Sequence, residues 1–352
     1  MSSNNHNYLF FCAHGYAIPI LRPLQEEMER RGDSVAWYLE PTCPADQLAA
    51  EDVQLHSLKE VKQWNPRAVF APGDWVYDFF PGVKVRVCHG YPIYKRGGTE
   101  ETHFRLRGWF DIHCSSGPSS TPIFKELEAK HPWFCTYETG WVKADAIVNA
   151  RKAAEAEMQK PHEPTIFVAT TFSKRITQLR NLLPTITRLA HERSWKWVIT
   201  MHPKLEDPEL RSALEQLAKD CENVEFYPVS PMPDVMAHTD VMLCDASSIT
   251  VEYMLLDRPV VTLRNTTPGP HILNVESVDE VEGALEKALQ RPEDLMREMR
   301  KYVAFHESHL DGNNAANILN AVDDFIENRQ KKLRHKPLNL FRRLKVRWHF
   351  IL

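Results

Sequence analysis

The stretch Thr239-Asp-Val-Met-Leu-Cys-Asp245-Ala-Ser247-Ser248-Ile-Thr-Val-Glu252-Tyr-Met-Leu-Leu-Asp257-Arg-Pro259-Val-Val261 decides the fold. Val241–Cys244 is a short apolar run of the kind that forms a strand buried on both faces. Asp245 closes it, two hydroxyls follow, and Thr250–Leu256 has helical spacing before a second apolar run at Val260–Leu263. Strand, helix, strand with tight joints is the unit of a parallel sheet covered by helices. Such units present helix N-termini at the carboxyl ends of their strands, so Ser247 and Ser248 with the free N–H groups of that turn form a phosphate cradle. Glu252, about one turn inside the helix, then reaches sugar or ribose hydroxyls. The competing reading is an ordinary Asp/Ser N-cap worth about 1 kcal/mol. This segment alone leaves the two open.

The same alternation extends in both directions. Upstream lie strands at Thr165–Ala169, Trp197–Met201 and Val224–Tyr227, with helices at Leu179–Arg193, Pro208–Cys221 and Met232–His238 between them. Pro161-His162-Glu163-Pro164 is the best linker in the chain. Before it come strands at Tyr8–Ala13, Ser34–Tyr38, Ala68–Ala71 and Val83–Val87, a helix over 19–31 stopped by Gly32, and a helix over 143–160. The expectation is an α/β protein of two doubly wound, Rossmann-like domains, 1–160 and 161–310, facing a central cleft. A closing helix at 311–330 and a basic amphipathic tail at 331–352 follow. Ligands of such sheets favour the strand ends. No GxGxxG or GxxxxGKS occurs, which disfavours nicotinamide-type and P-loop sites.

Composition bounds the partners. With 352 residues and a formal net charge of −4, a general nucleic-acid surface is not expected. No run reaches the roughly 18–20 apolar residues of a membrane span. The first residues carry no cation, so the reading is a cytoplasmic chain without a secretory leader. Seven cysteines form no CxxC pair and read as small buried hydrophobes. The tail stands apart: residues 331–352 hold eight Lys/Arg and no Asp/Glu, interleaved with Leu338, Leu340, Phe341, Leu344, Val346, Trp348, Phe350, Ile351 and Leu352. Such a segment can lie in the interface of an anionic membrane, giving a peripheral protein on the inner face of the cell membrane. The alternative is a terminal helix packed on the body with its cations snorkelling.

Two histidines stand at strand ends. Trp197-Val-Ile-Thr-Met-His202-Pro203 puts His202 on the rim that carries the Ser pair, where it can neutralise a diphosphate or protonate a leaving phosphate. Val85-Arg-Val-Cys-His89-Gly90-Tyr91-Pro92-Ile-Tyr-Lys95-Arg96 offers His89 as a general base in the first domain, with Lys95 and Arg96 suited to anionic groups. His14 reads as part of a plain turn and His113 as a packed side chain. No GxSxG elbow supports a hydrolase.

In order along 85–320, the segments HGYPIYKRGG, ETGWVKAD, TIFVATTF, VITMHP, TDVMLCDASSITVEYMLLDRPVV and HLDGNNAANI resemble the CDP-glycerol glycerophosphotransferase family of teichoic-acid and capsule enzymes. That resemblance implies a GT-B fold and transfer of a polyol phosphate, glycerol phosphate first, from a CDP-polyol to a hydroxyl of an envelope glycan or lipid-linked acceptor, with release of CMP. It assigns His89 as base and His202 beside the diphosphate, and places Asp245, Ser247, Ser248 and Glu252 in donor binding. Asp311 and Gly312 map to the closing helices. No metal or other cofactor is required by the sequence. Two further readings keep the fold or the ligand: a nucleotide-sugar glycosyltransferase or UDP-sugar 2-epimerase of envelope polysaccharide synthesis, and a non-catalytic scaffold that binds nucleotide sugars.

Overall fold

The computed structural model describes residues 5–92, 104–173, 175–202, 204–228 and 232–351. It divides into two compact units. The first holds the chain up to Pro92, the stretch ending at Ala146, and the segment from Phe305 onward; the second is Ile147–Ala304.

The first unit begins with β1 (Asn7–Cys12), α1 (Ala17–Arg30), β2 (Ser34–Leu39), β3 (Val53–Leu55), α2 (Leu58–Trp64), β4 (Ala68–Ala71) and β5 (Val83–Arg86). It continues with β6 (Ile112–Ser115), α3 (Thr121–Lys130), β7 (Cys135–Glu138) and α4 (Val142–Met158), which carries the chain into the second unit. Its sheet is wholly parallel in the order β3-β2-β1-β4-β5-β6-β7. The winding direction reverses between β1 and β4. Apolar spacing explains the helices: Ile18, Leu21, Leu24 and Met28 put one face of α1 into the core, and Gly32 with φ of 83° ends the turn that follows.

In the second unit β8 (Thr165–Ala169), α5 (Leu179–Glu192), β9 (Lys196–Thr200), α6 (Pro208–Asp220), β10 (Val224–Tyr227) and α7 (Pro233–Ala237) lead to β11 (Val241–Cys244). Then come α8 (Ile249–Met254), β12 (Val260–Leu263), β13 (Leu273–Val275), α9 (Val281–Leu289) and α10 (Glu293–His306), which returns the chain to the first unit. The sheet order is β10-β9-β8-β11-β12-β13, again parallel, with its reversal between β8 and β11. Buried strands such as Val241–Cys244 are apolar throughout because helices cover both faces.

The closing segment is α11 (Asn314–Asp324) and, after Pro337, α12 (Leu340–Ile351). Ala315, Ile318, Leu319, Val322 and Phe325 join the core that α1 covers. Two sequence segments far apart make the clasp. The Asp145 carboxylate, buried in α4, accepts the backbone N–H groups of Asn314 (2.9 Å) and Ala315 (2.7 Å), the first turn of α11. Asn314 Nδ2 donates to the Trp141 carbonyl at 3.0 Å. Gly140, at φ of 78°, is required here because a Cβ would stand 2.3 Å from Asn314 Oδ1. Asp145→Ala leaves two N–H groups without their charged acceptor and is expected to cost about 2–4 kcal/mol in chemical denaturation. A loss under about 0.5 kcal/mol would mean that apolar packing alone closes the unit.

Candidate functional site

In doubly wound sheets the strand ends beside the reversal point form a crevice where ligands bind. In the second unit that place lies beyond β8 and β11, and Asp245 occupies it. Its carboxylate is fully buried and accepts the N–H of Thr171 at 2.9 Å and that of Gln178 at 3.2 Å. The Asp245 backbone carbonyl accepts Asn265 Nδ2 at 3.1 Å. One residue therefore ties together the loops that follow β8, β11 and β12. It lies beneath the rim and shapes it.

The hydroxyl pair lies above. Ser247 is half-buried, and its carbonyl accepts Thr250 Oγ1 at 3.0 Å. Ser248 is the exposed N-cap residue of α8, yet its side chain makes no capping hydrogen bond. Glu252 follows in the first turn, half-buried. His202 lies past the end of β9 with its ring 4.7 Å from that of Phe172. Its Nδ1 accepts the Lys204 N–H at 3.0 Å, so the neutral ring carries its proton on Nε2. Beside Ser247 a small cleft is lined by Thr250, Asn265, Thr267, His271 and Tyr302. His271 and Tyr302 stack face to face at 3.6 Å, and burial lowers the His271 pKa to about 4.

The first unit has its own strand-end cluster. His89 stands in the exposed class beyond β5, with its ring 6.1 Å from Tyr16, which in turn lies 5.7 Å from His14. Desolvation, and next the Arg86 guanidinium, lower the His89 pKa, and its ring is hydrogen-bonded to the Pro72 carbonyl. Arg86 pairs with Asp74 at 2.8 Å, and Arg107 reaches the other oxygen of that carboxylate at 3.2 Å. Sequence reading passed over this triad, although a cation inside the fully buried strand Val83–Arg86 was its signal. It also passed over Thr171, Asn265 and the His271–Tyr302 pair. Lys95 and Arg96 lie outside the described residues. Asp311 accepts the Asn313 N–H at 3.1 Å in the turn before α11. Among the described residues no group of three or more His, Cys, Asp or Glu is placed to hold a metal ion, and no helix is long and apolar enough to cross a membrane.

His113 packs among Phe110, Phe124 and Phe134 and is 3% exposed; burial first, then Arg86 and Lys336, holds its pKa well below 6.5. As pH falls through about 6.5 the unfolded chain takes a proton that this ring refuses, so stability falls with it. His271 adds the same dependence between about 6.5 and about 4. Relative to His113→Leu, the wild-type chain is expected to lose stability as pH falls through this window, read as the difference between their denaturation midpoints from pH 8 to pH 4. Ser248→Ala is expected to leave stability within about 0.5 kcal/mol, since no cap bond is lost. A loss of about 1 kcal/mol or more in denaturant titration would return Ser248 to a capping role.

Comparison with known proteins gives the family. The family model "UDP-N-acetylglucosamine 2-epimerase" matches residues 133–323, more than half of the chain. No curated protein sequence matches it. Among solved structures, the UDP-GlcNAc 2-epimerase from Neisseria meningitidis bound to UDP-GlcNAc is similar at 17% identity and a TM-score of 0.58, covering 90% of this chain and 99% of that one. A second UDP-N-acetylglucosamine 2-epimerase is similar at 14% identity and a TM-score of 0.56, covering 95% and 99%. The wall teichoic acid polymerase TagF is similar at 12% identity and a TM-score of 0.64, covering 94% and 90%. At these identities the structural likeness shows the fold: two parallel-sheet, Rossmann-like domains of GT-B type.

The family model overturns the resemblance to CDP-glycerol glycerophosphotransferases. With it go the CDP-polyol donor, the envelope glycan or lipid-linked acceptor, polyol-phosphate transfer and the teichoic-acid and capsule assignment. The physical reason lies in what the motifs encode. A strand-end His, a hydroxyl pair and a Glu one turn later read as answering to a diphosphate and a ribose, and such residue types distinguish neither the base nor the group beyond the second phosphate. The chain belongs to the UDP-N-acetylglucosamine 2-epimerase family.

Proposed function

We propose that this protein binds UDP-N-acetylglucosamine and inverts its sugar at C2. The observation that carries the reading is the family match over 133–323, which spans every element of the second unit's strand-end rim. In this reading Ser247, Ser248 and the Nε2–H of His202 donate to the diphosphate. Glu252 accepts from ribose hydroxyls, and Asp245 is a positioning residue. The C2 proton is lost only if its electron pair is taken up as the C1–O bond to the diphosphate breaks, forming a C1=C2 double bond. Inversion therefore takes the proton as UDP leaves and returns a proton to the opposite face of C2 as UDP adds back to C1. The proton returned to the opposite face derives from solvent, and His89 is the group assigned to take the C2 proton. Its lowered pKa keeps the imidazole neutral at pH 7, with a lone pair on the nitrogen that does not carry the proton. Activity that needs this neutral ring is expected to hold across neutrality and to fall only below the usual histidine range.

The direct test is incubation of the purified protein with UDP-N-acetylglucosamine in D₂O, followed by proton NMR. Formation of the C2 epimer with deuterium at C2 is the expected result. Unchanged substrate with its C2 proton retained, or release of UDP onto an added sugar acceptor, would overturn the reading. Ser247→Ala with Ser248→Ala is expected to weaken UDP-N-acetylglucosamine binding by about 10- to 100-fold in calorimetry. His89→Ala is expected to lower turnover by about 10²–10⁴-fold while affinity stays within a few fold. Equal loss of binding would reduce His89 to a structural residue.

A further inference from the structure

The tail is held by its cations and shows its apolar teeth to solvent. Past Leu333 the chain runs along one edge of the first unit's sheet. Arg334 N–H donates to the Pro132 carbonyl just before β7. Lys336 pairs with Asp111 at 2.6 Å and donates to the Trp109 carbonyl at 2.9 Å, just before β6. Asn339 donates to the Arg107 carbonyl at 2.9 Å, and Gly108, at φ of 74°, makes room for it: a Cβ there would stand 2.6 Å from Asn339 Nδ2. In α12, Arg347 and Arg343 reach Asp78 at 2.8 and 3.4 Å, while Val346 packs under the helix against the core.

This arrangement inverts the ordinary amphipathic helix, whose apolar stripe faces the body. Here Phe341 is 90% exposed, and Leu344 and Trp348 are 63% exposed. At spacings of three, four and seven these residues share the outer face of α12. Leu340 and Leu338 extend the exposed patch. Arg342 and Lys345 flank it in the exposed class, as do Lys331, Lys332 and Arg334 before it. No Asp or Glu follows Glu327 in the sequence. A solvated aromatic and aliphatic stripe bordered only by cations matches the interface of an anionic bilayer, which takes up the apolar side chains and pairs with the charges. A symmetric contact between two copies would set two acid-free segments face to face and repel. Nucleic acid would answer to the cations but would leave the apolar centre in water.

We propose that the segment from Lys331 onward docks this protein on an anionic lipid bilayer through the outer face of α12. The contacts at Pro132, Trp109 and Asp78 all precede strands β7, β6 and β5, so the tail follows the edge where those strands begin. His89 and Ser116 lie at the opposite ends of the strands. Lipid bound at the tail therefore leaves that rim facing water. This inference stands independently of the nucleotide-sugar reading.

The test uses the full-length protein and vesicles of phosphatidylcholine, alone or with about 30% phosphatidylglycerol, in co-sedimentation at low and high salt. Sedimentation with the anionic vesicles alone, reversed by salt, is expected. Lys345→Glu is expected to weaken it at least about fivefold, and Phe341→Ser with Trp348→Ser at least about tenfold, with unchanged circular dichroism. Failure of the full-length protein to sediment with anionic vesicles at low salt would overturn the proposal, as would wild-type binding by both variants. A dimer in sedimentation velocity that the Phe341/Trp348 variant abolishes, or RNA binding that the Lys345 variant alone weakens, would overturn it and reassign the face.

Discussion

A single buried carboxylate organises the second unit's functional rim. Strands β8 and β11 diverge where the winding reverses, and the loops beyond them would part were nothing to span the gap. Asp245 spans it, accepting N–H groups from Thr171 and Gln178 on one side and offering its own carbonyl to Asn265 on the other. A carboxyl group buried at this depth is tolerated only because main-chain donors surround it. Ser248 and His202 stand on the rim that Asp245 braces, so the residues proposed to meet a ligand are positioned by one that lies beneath them.

The first unit solves a similar problem with other buried acids. Asp145 closes α11 onto α4, and Glu307 accepts the Trp141 N–H at 2.9 Å and the Tyr91 hydroxyl at 3.0 Å. Burial raises the Glu307 pKa to about 8 even though each of these donors opposes the shift. Desolvation outweighs hydrogen bonding there, so the folded state holds a proton that the unfolded chain has released by neutral pH. Linkage then gives a stability contribution that is complete below about 4.5 and lost as pH rises through about 8. The buried histidines impose the reverse slope at acid pH. Tyr91 stands two residues from His89, so the carboxyl that anchors the chain's return also anchors the loop carrying the assigned proton-transfer group.

Much of this was legible in the sequence because buried parallel strands are written as apolar runs. Val241–Cys244 and Thr165–Ala169 announced themselves, and the strand-end positions of His202 and Ser247 followed, whereas Val83–Arg86, which leads to His89, alternates valine with Lys84 and Arg86. Strands β3 and β13 are too short for any period, and β6 reads Ile-His-Cys-Ser, polar by composition although wholly buried. The Arg86–Asp74–Arg107 cluster and the Asp145–Asn314 clasp are tertiary. In the second, the partners stand 169 residues apart, and no local pattern records such a pairing. The ligand was misread for a different reason: residues that grip a diphosphate carry no information about the nucleoside or the group attached to it.

The tail shows how far local composition reaches. Alternating cations and apolar residues imply an amphipathic helix but do not say which face turns inward, since either can be satisfied by a suitable partner. The decision was made elsewhere in the chain, at Asp78, Asp111 and Gly108, which accept the tail's charges and admit the side chains of Asn339 and Pro337. Three residues scattered through loops that precede strands thus direct the apolar face of α12 outward. With that orientation, substitution at Asp78 or Asp111 would free the cations that hold the helix down, so the exposure of its apolar face is a property of the body as much as of the tail.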